Sequence, residues 1–265
     1  MPEAGTPSYP EILGRLDAIT LGEMDSIKLM NRMDTKYLTD EAHLAAMLRD
    51  ALGAGYRVLV TEGGRLATYD SVYYDTDDLR MFTDHHNRRL RRQKVRTRCY
   101  VASGSTFLEI KRKNNKGRTS KKRMAIPPAE LQDFRSDGPA CTYLESHSAF
   151  TAGELSPVLE TLFVRITLVN RAKTERLTID THLSFKNFRT GLETDLKDAV
   201  IIELKQDGRA ESEMKRILLD NRIKPMRVSK YCIAVTLTDP SARSGRFKAK
   251  VRRIEKTINK KIETI

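Results

Sequence analysis

The stretch Gln93-Lys94-Val95-Arg96-Thr97-Arg98-Cys99-Tyr100 decides the fold. Lys94, Arg96 and Arg98 alternate with Val95, Thr97 and Cys99, which is strand period, so the three cations share one face. Ser103-Gly104-Ser105 reads as a hairpin turn. The strand Phe107-Leu108-Glu109-Ile110-Lys111-Arg112-Lys113 follows, with Glu109, Lys111 and Lys113 on one face. Asn114-Asn115-Lys116-Gly117 is a second turn signal, and Thr119-Ser120-Lys121-Lys122-Arg123-Met124 then sets Lys121 and Arg123 together. Three consecutive strands therefore carry cations on a common side.

The device recurs downstream. Arg165 stands between apolar neighbours in Leu162-Phe163-Val164-Arg165-Ile166-Thr167-Leu168. In Arg176–His182, alternation puts Arg176, Thr178, Asp180 and His182 on one face and Leu177 and Ile179 on the other. Glu203 and Lys205 sit within the apolar run Val200-Ile201-Ile202-Glu203-Leu204-Lys205. Charges embedded in apolar strands are costly unless they face a wet cavity or bind ions. The pattern predicts an antiparallel sheet, apolar outside and charged inside, closed as a barrel with a polar lumen.

Composition agrees with an anionic partner. The chain has 265 residues, 48 Lys+Arg against 35 Asp+Glu, a net charge of +13 and 39% apolar residues. Residues 84–123 hold fifteen Lys/Arg and two acids, Asp84 and Glu109, which equals the excess of the whole chain. A second basic run lies at 243–265. No apolar stretch reaches the ~18 residues of a membrane helix, and the N-terminus lacks the basic start and apolar run of a secretory signal. Cys99, Cys141 and Cys232 are far apart and odd in number, which argues against a disulfide framework or a cysteine zinc site and fits a cytoplasmic protein. Oligonucleotide platforms need exposed aromatics for stacking, and the basic strands offer only Tyr100 and Phe107, so no nucleic-acid partner is expected.

The rest of the chain reads as a leader (1–26), one domain (27–242) of about eight strands and four to six helices, and a basic amphipathic helix (243–265). Strands are expected at Asn31–Leu38, Tyr56–Val60, Ala67–Asp75, 158–170, 175–187 and 198–205. Thr39/Asp40 cap a helix over 40–51 and Asp77/Asp78 one reaching about 87. Pro127-Pro128 opens a helical stretch to about 152, and Ala210–Asn221 and Ser229–Thr238 are further helices. Phe247, Val251, Ile254, Ile258 and Ile262 recur at helical spacing. That stripe suits packing on the barrel. Alternatively the flanking Lys248, Lys250, Arg252, Arg253, Lys260 and Lys261 hold a partner: an emerging polyanion, an anionic membrane surface or a membrane protein. Walker A, Rossmann, His-Glu-x-x-His and Gly-x-Ser-x-Gly motifs are absent. His85-His86 reads as a surface pair, since adjacent histidines on a helix diverge.

Several short motifs occur in a telling order. They are Met33-Asp34-Thr35-Lys36-Tyr37, Tyr73-Tyr74-Asp75-Thr76, Lys94-Val95-Arg96-Thr97-Arg98, Phe107-Leu108-Glu109-Ile110-Lys111, Lys121-Lys122-Arg123, Arg176-Leu177-Thr178-Ile179-Asp180-Thr181, Ile202-Glu203-Leu204-Lys205 and Ser229-Lys230-Tyr231. Over about 27–238 this succession resembles the catalytic domain of the vacuolar transporter chaperone family, within the triphosphate tunnel metalloenzymes. The resemblance implies an α+β fold, an eight-stranded antiparallel barrel forming a tunnel and decorated by helices. It implies a polyphosphate polymerase that transfers the γ-phosphoryl group of ATP to inorganic polyphosphate or pyrophosphate, with Mn²⁺ (or Mg²⁺). By motif, Lys36, Arg96, Arg98, Lys111 and Arg176 are the expected catalytic contacts, Lys121, Arg123, Arg165, Arg227 and Lys230 bind phosphate, and Glu203 holds the metal.

These residue types suit phosphoryl transfer, which needs positioning and charge neutralisation more than covalent help. One departure matters. The hydrolase branch of that superfamily carries Glu-x-Glu-x-Lys on its first strand, where this chain has Arg32-Met33-Asp34-Thr35-Lys36. That weakens a two-metal hydrolase or cyclase reading. The alternatives are a triphosphate or polyphosphate hydrolase on the same scaffold, or a non-catalytic polyphosphate or inositol-phosphate binder.

Overall fold

The computed structural model describes residues 7–25, 32–208 and 211–264. In chain order the elements are α1 (Tyr9–Arg15), β1 (Asp17–Ile19), α2 (Leu21–Asp25), β2 (Arg32–Asp40), α3 (Glu41–Gly53), β3 (Arg57–Leu59), β4 (Ala67–Asp75), α4 (Arg80–His86), β5 (Arg92–Tyr100), β6 (Ser105–Lys113) and β7 (Thr119–Ile126). A 3₁₀ turn (Pro128–Glu130) leads to α5 (Pro139–His147), β8 (Ser156–Val169), β9 (Glu175–Asn187), β10 (Glu193–Leu196), β11 (Ala199–Asp207), α6 (Glu213–Asp220), α7 (Lys230–Thr238) and α8 (Gly245–Ile258). Residues 1–6 and 26 of the expected leader, the expected domain start at 27–30, Asn31 of the first expected strand and Ala210 of an expected helix lie outside the described residues.

The fold is α+β. One sheet runs β2-β11-β9-β8-β4-β5-β6-β7, with every neighbouring pair antiparallel. β10 extends β9, and β3 joins β8 and, in parallel, β1. The sheet is barrel-like rather than hydrogen-bonded shut, since β2 and β7 are its two edges. It curls enough that Lys111 on β6 feels the charges of Glu203 on β11 and Lys36 on β2.

Alternation separates the faces as the sequence predicts. Ile166, Leu168, Leu177, Ile179, Ile202 and Leu204 turn outward beneath α1, α3 and α6. Val72, Val95, Leu108 and Ile110 turn outward beneath α5. A third cluster joins α7, Phe247 and Ile254 of α8 and Phe82 of α4 to Tyr73, Leu159, Phe163, Leu183 and Ile201. α7 therefore occupies one end of the concave side. The α8 stripe packs into that cluster, but the helix stops at Ile258 because Asn259 adopts a left-handed conformation (φ 50°), so Ile262 lies beyond it.

Three readings change. Asp77/Asp78 do not cap α4. The Asp75 carboxylate accepts from the backbone N–H groups of Met81 (2.8 Å) and Phe82 (2.9 Å), and also from the Tyr231 hydroxyl (2.5 Å). His182 leaves the charged face. A bulge shifts the β8–β9 register between Leu162 and Val164, His182 takes φ 51° and is exposed, and Leu183 and Phe185 enter the core in its stead. His86 is not at the surface; it is buried, and its Nε2 accepts from the Arg246 backbone N–H at 3.2 Å.

Candidate active site

Cross-strand register assembles the charged face. Arg96 stands opposite Glu109, and Glu109 opposite Arg123. Lys94 faces Lys111, and Lys111 faces Lys121. On the far side Lys36 pairs with Glu203, Arg176 with Lys205, and Arg165 with Asp180. Alternation forces these side chains inward, because shifting a strand by one residue would expose its apolar set.

Three carboxylates of this face, Glu109, Asp180 and Glu203, each bridge two cations. Glu109, 2% exposed, accepts from Arg96 Nε (2.8 Å) and NH2 (2.6 Å) and pairs with Lys121 Nζ at 2.5 Å. Asp180 takes a bidentate pair from Arg165, at 2.6 and 2.8 Å, and a further ion pair from Lys230. Glu203 pairs with Lys36 at 2.8 Å and with Lys205. Burial would raise all three carboxyl pKa values, but the cations outweigh it. Arg96, Arg98 and Lys121 hold Glu109 at about 2, and Asp180 and Glu203 are also lowered.

Aromatic rings line the same space. The Arg98 and Arg165 guanidinium groups lie over Tyr69 (5.1 and 5.0 Å) and Phe163 (5.5 and 5.3 Å). Lys230 Nζ lies 4.2 Å from the Phe163 centroid, and Arg123 lies 4.9 Å from that of Phe107. Tyr73 Oη accepts from Arg96 NH1 at 3.0 Å while its ring stacks on Tyr231 at 5.2 Å. Burial opposes ionisation of Tyr73, yet Arg96, Arg98, Lys94 and Lys230 bring it to about 7.

Besides the exposed Arg123, three cations of this face lack any carboxylate partner among the described residues. Arg98 donates to Ser71 Oγ at 2.9 Å, Lys94 donates to Ser229 Oγ at 2.7 Å, and Lys111 has no ion pair. Burial, then Arg96 and Arg165, depress Arg98. Burial is also the main cause that depresses Lys111, Lys205 and Lys230, the last two to about 8. Uncompensated cations in a concavity are a standing cost that a multivalent anion removes.

Of the residues expected from sequence, Lys36, Arg96, Arg98, Lys111, Lys121, Arg123, Arg165, Arg176, Lys230 and Glu203 share this face. Arg227 does not; it is exposed outside, and its carbonyl accepts from Lys250 Nζ at 2.8 Å. Tyr73, Lys94, Lys205, Glu109 and Asp180 belong to the face although motif matching assigned them no role. Their alternation with apolar residues was the available signal. A groove of about 480 Å³ between β9, β10 and the chain after α8 lies away from these residues.

The donors for a metal are sparse. No cluster of three or more His, Cys, Asp or Glu occurs among the described residues. Glu203, with both oxygens on lysines, fits a divalent ion only if substrate phosphates supply other ligands, which is the usual mode for Mg²⁺.

This is a cation-lined, antiparallel α+β fold. The VTC domain profile matches residues 31–238, and the chain belongs to that family. No curated protein matches the sequence. Among solved structures it is similar to a putative adenylate cyclase of Bacillus halodurans (15% identity, covering 76% of this chain and 96% of that one, TM-score 0.49). It is also similar to a putative adenylyl cyclase from Hippeastrum described as having a dominant triphosphatase activity (16%, 77% and 94%, TM-score 0.43). A third is the PH1819 protein of Pyrococcus horikoshii (13%, 75% and 96%, TM-score 0.41). No helix among the described residues is long and apolar enough to cross a membrane.

Proposed function

We propose that the protein is a polyphosphate polymerase: it moves the γ-phosphoryl group of ATP onto the end of an inorganic polyphosphate or pyrophosphate chain. The observation that carries this reading is the set of unpaired cations, Lys94, Arg98 and Lys111, beside carboxylate-bridged pairs on one concave face. An incoming phosphate chain has first claim on the unpaired three. It also competes with Glu109, Asp180 and Glu203 for their lysines, which swing more freely than the bidentate arginines.

In the reaction an acceptor phosphate oxygen forms a bond to the γ-phosphorus as the bond to the bridging oxygen of ADP breaks, and ADP departs with that electron pair. Arg96 and Arg98 alternate along β5, about 6.5–7 Å apart, a spacing that grips successive phosphates. Fixed guanidinium groups neutralise charge on the transferring group without reorganising. Glu203 is the residue suited to a divalent ion, Mn²⁺ or Mg²⁺, whose contribution when bound is to offset phosphate charge.

The carboxylates of this face are not the base that hydrolysis would need, although Tyr73, at about 7, titrates in that range. Activating water calls for a base with a pKa near the working pH. The carboxylates here are depressed, Glu109 to about 2, and hold their protons poorly. A phosphate acceptor is already anionic at neutral pH and needs no such base. The experiment is incubation with ATP and Mn²⁺, counting acid-insoluble polymer against orthophosphate. Polymer is expected. Orthophosphate alone would instead mark a hydrolase, and tight binding without turnover a carrier.

A further inference from the structure

The cation row does not stop at the concavity. β5 and β6 continue it outward by one more step of the same alternation, to Arg92 and Lys113, which face each other across the strands. Like charges directly opposite repel, so this pair is held at a cost. Near it stands Lys250 on α8, whose charge acts on His85 together with those of Arg92 and Lys113, and Arg88, just after α4, acts in turn on Lys250. Phe247 seats α8 against this rim, 6.2 Å from the His85 ring and 5.6 Å from that of His86. Lys250 donates to the Arg227 carbonyl and lies 5.6 Å from the Phe247 centroid, so α8 turns a lysine toward the rim.

None of Arg88, Arg92, Lys113, Arg227 and Lys250 has a carboxylate within ion-pair distance among the described residues. Their fields overlap. His85 is depressed to about 3 by burial and then by Lys94, Arg92, Lys250 and Lys113, and its Nδ1 is buried without a hydrogen-bond partner among the described residues. Lys250 is lowered by burial and, in part, by Arg88 and Arg227. Lys94 belongs to both sets, so the rim adjoins the concave face. α7, whose N-cap Ser229 accepts from Lys94, and its apolar cluster fill part of that end.

We infer that a linear polyanion held on the concave face runs out across this rim, so that the binding site is longer than a triphosphate and holds a long chain more tightly than a short one. The inference rests on the proposed function and specifies its ligand. It also gives the basic C-terminal helix a role through the edge that bears Lys250 rather than through its outer face.

The test compares tripolyphosphate with long-chain polyphosphate, binding each to the wild type, to Arg88→Glu/Lys113→Glu and to a charge-matched control, Lys215→Glu/Arg216→Glu, on exposed α6 positions. The rim variant should lose about tenfold or more in affinity for the long chain and show a shallower salt dependence. Its tripolyphosphate affinity should stay within about twofold of wild type, and the control should match wild type for both ligands. The milder Arg88→Gln/Lys113→Gln, checked by thermal melting, serves if the reversal unfolds the protein. Unchanged long-chain affinity, or equal losses for both ligands, overturns the rim path. Failure of tripolyphosphate to bind the wild type would instead strike at the proposed function itself.

Discussion

Arg165 and Asp180 face each other across β8 and β9 as a bidentate pair, Nε to Oδ1 at 2.6 Å and NH2 to Oδ2 at 2.8 Å, and Lys230 from α7 closes on the same carboxylate. One aspartate thus fastens the first turn of α7 to the sheet. Asp180→Asn should leave two buried cations short of their counter-charge and destabilise the fold by about 3–5 kcal/mol. Urea unfolding measures the loss, and saturating tripolyphosphate should restore part of it by binding only the folded state.

Lys205 and Lys230 titrate near pH 8 in the folded protein, against 10.5 for a free lysine. Their folded pKa values are depressed, so between about pH 8 and 10.5 the unfolded chain binds more protons than the folded one. From these groups, stability of the free protein should rise with pH across that window. Anion affinity should move the other way, falling as pH passes 8 and the two ammonium groups lose their charge. Melting curves and tripolyphosphate titrations at pH 7, 8 and 9 check both signs.

Arg96 holds Glu109 and Tyr73 at once. Arg96→Ala should cost about 10²–10³-fold in kcat. Arg96→Lys should also be impaired, because the ammonium keeps the charge and loses the fork. Lys116→Ala, on the exposed turn between β6 and β7, should be neutral. Equal activity of the Arg96→Ala and Lys116→Ala proteins would remove β5 from the reaction.

Glu203→Gln tests the metal reading. The amide can still meet one of Lys36 and Lys205 but carries no charge, so metal-dependent turnover should vanish while nucleotide binding stays nearly intact. Mn²⁺ binding to the tripolyphosphate complex, followed by electron paramagnetic resonance, should weaken in parallel. Unaltered Mn²⁺ binding would take Glu203 out of the site.

Much of the charged face was legible because strand alternation is rigid: once Val95, Leu108 and Ile179 are outward, Arg96, Glu109 and Asp180 have nowhere else to go. Alternation fails where the backbone departs from it. The bulge at His182 resets the parity of β9, and nothing in Asp180-Thr181-His182-Leu183 announces it. β1 and β10 were missed because three or four residues carry too little pattern, and they exist through β3 and β9. The pairing of carboxylates with cations was also hidden, since it joins residues as distant as Asp180 and Lys230. Arg227 lies between buried Met226 and Val228, so alternation turns it outward, which the motif around Ser229-Lys230 did not reveal.

A crystal structure with tripolyphosphate bound tests the central claim most directly. Phosphate groups are expected on the concave face, in contact with Lys94, Arg98 and Lys111, with Lys121 drawn away from Glu109 toward the ligand. Phosphate density confined to the outer surface, with those cations and the Glu109, Asp180 and Glu203 pairs undisturbed, would contradict it.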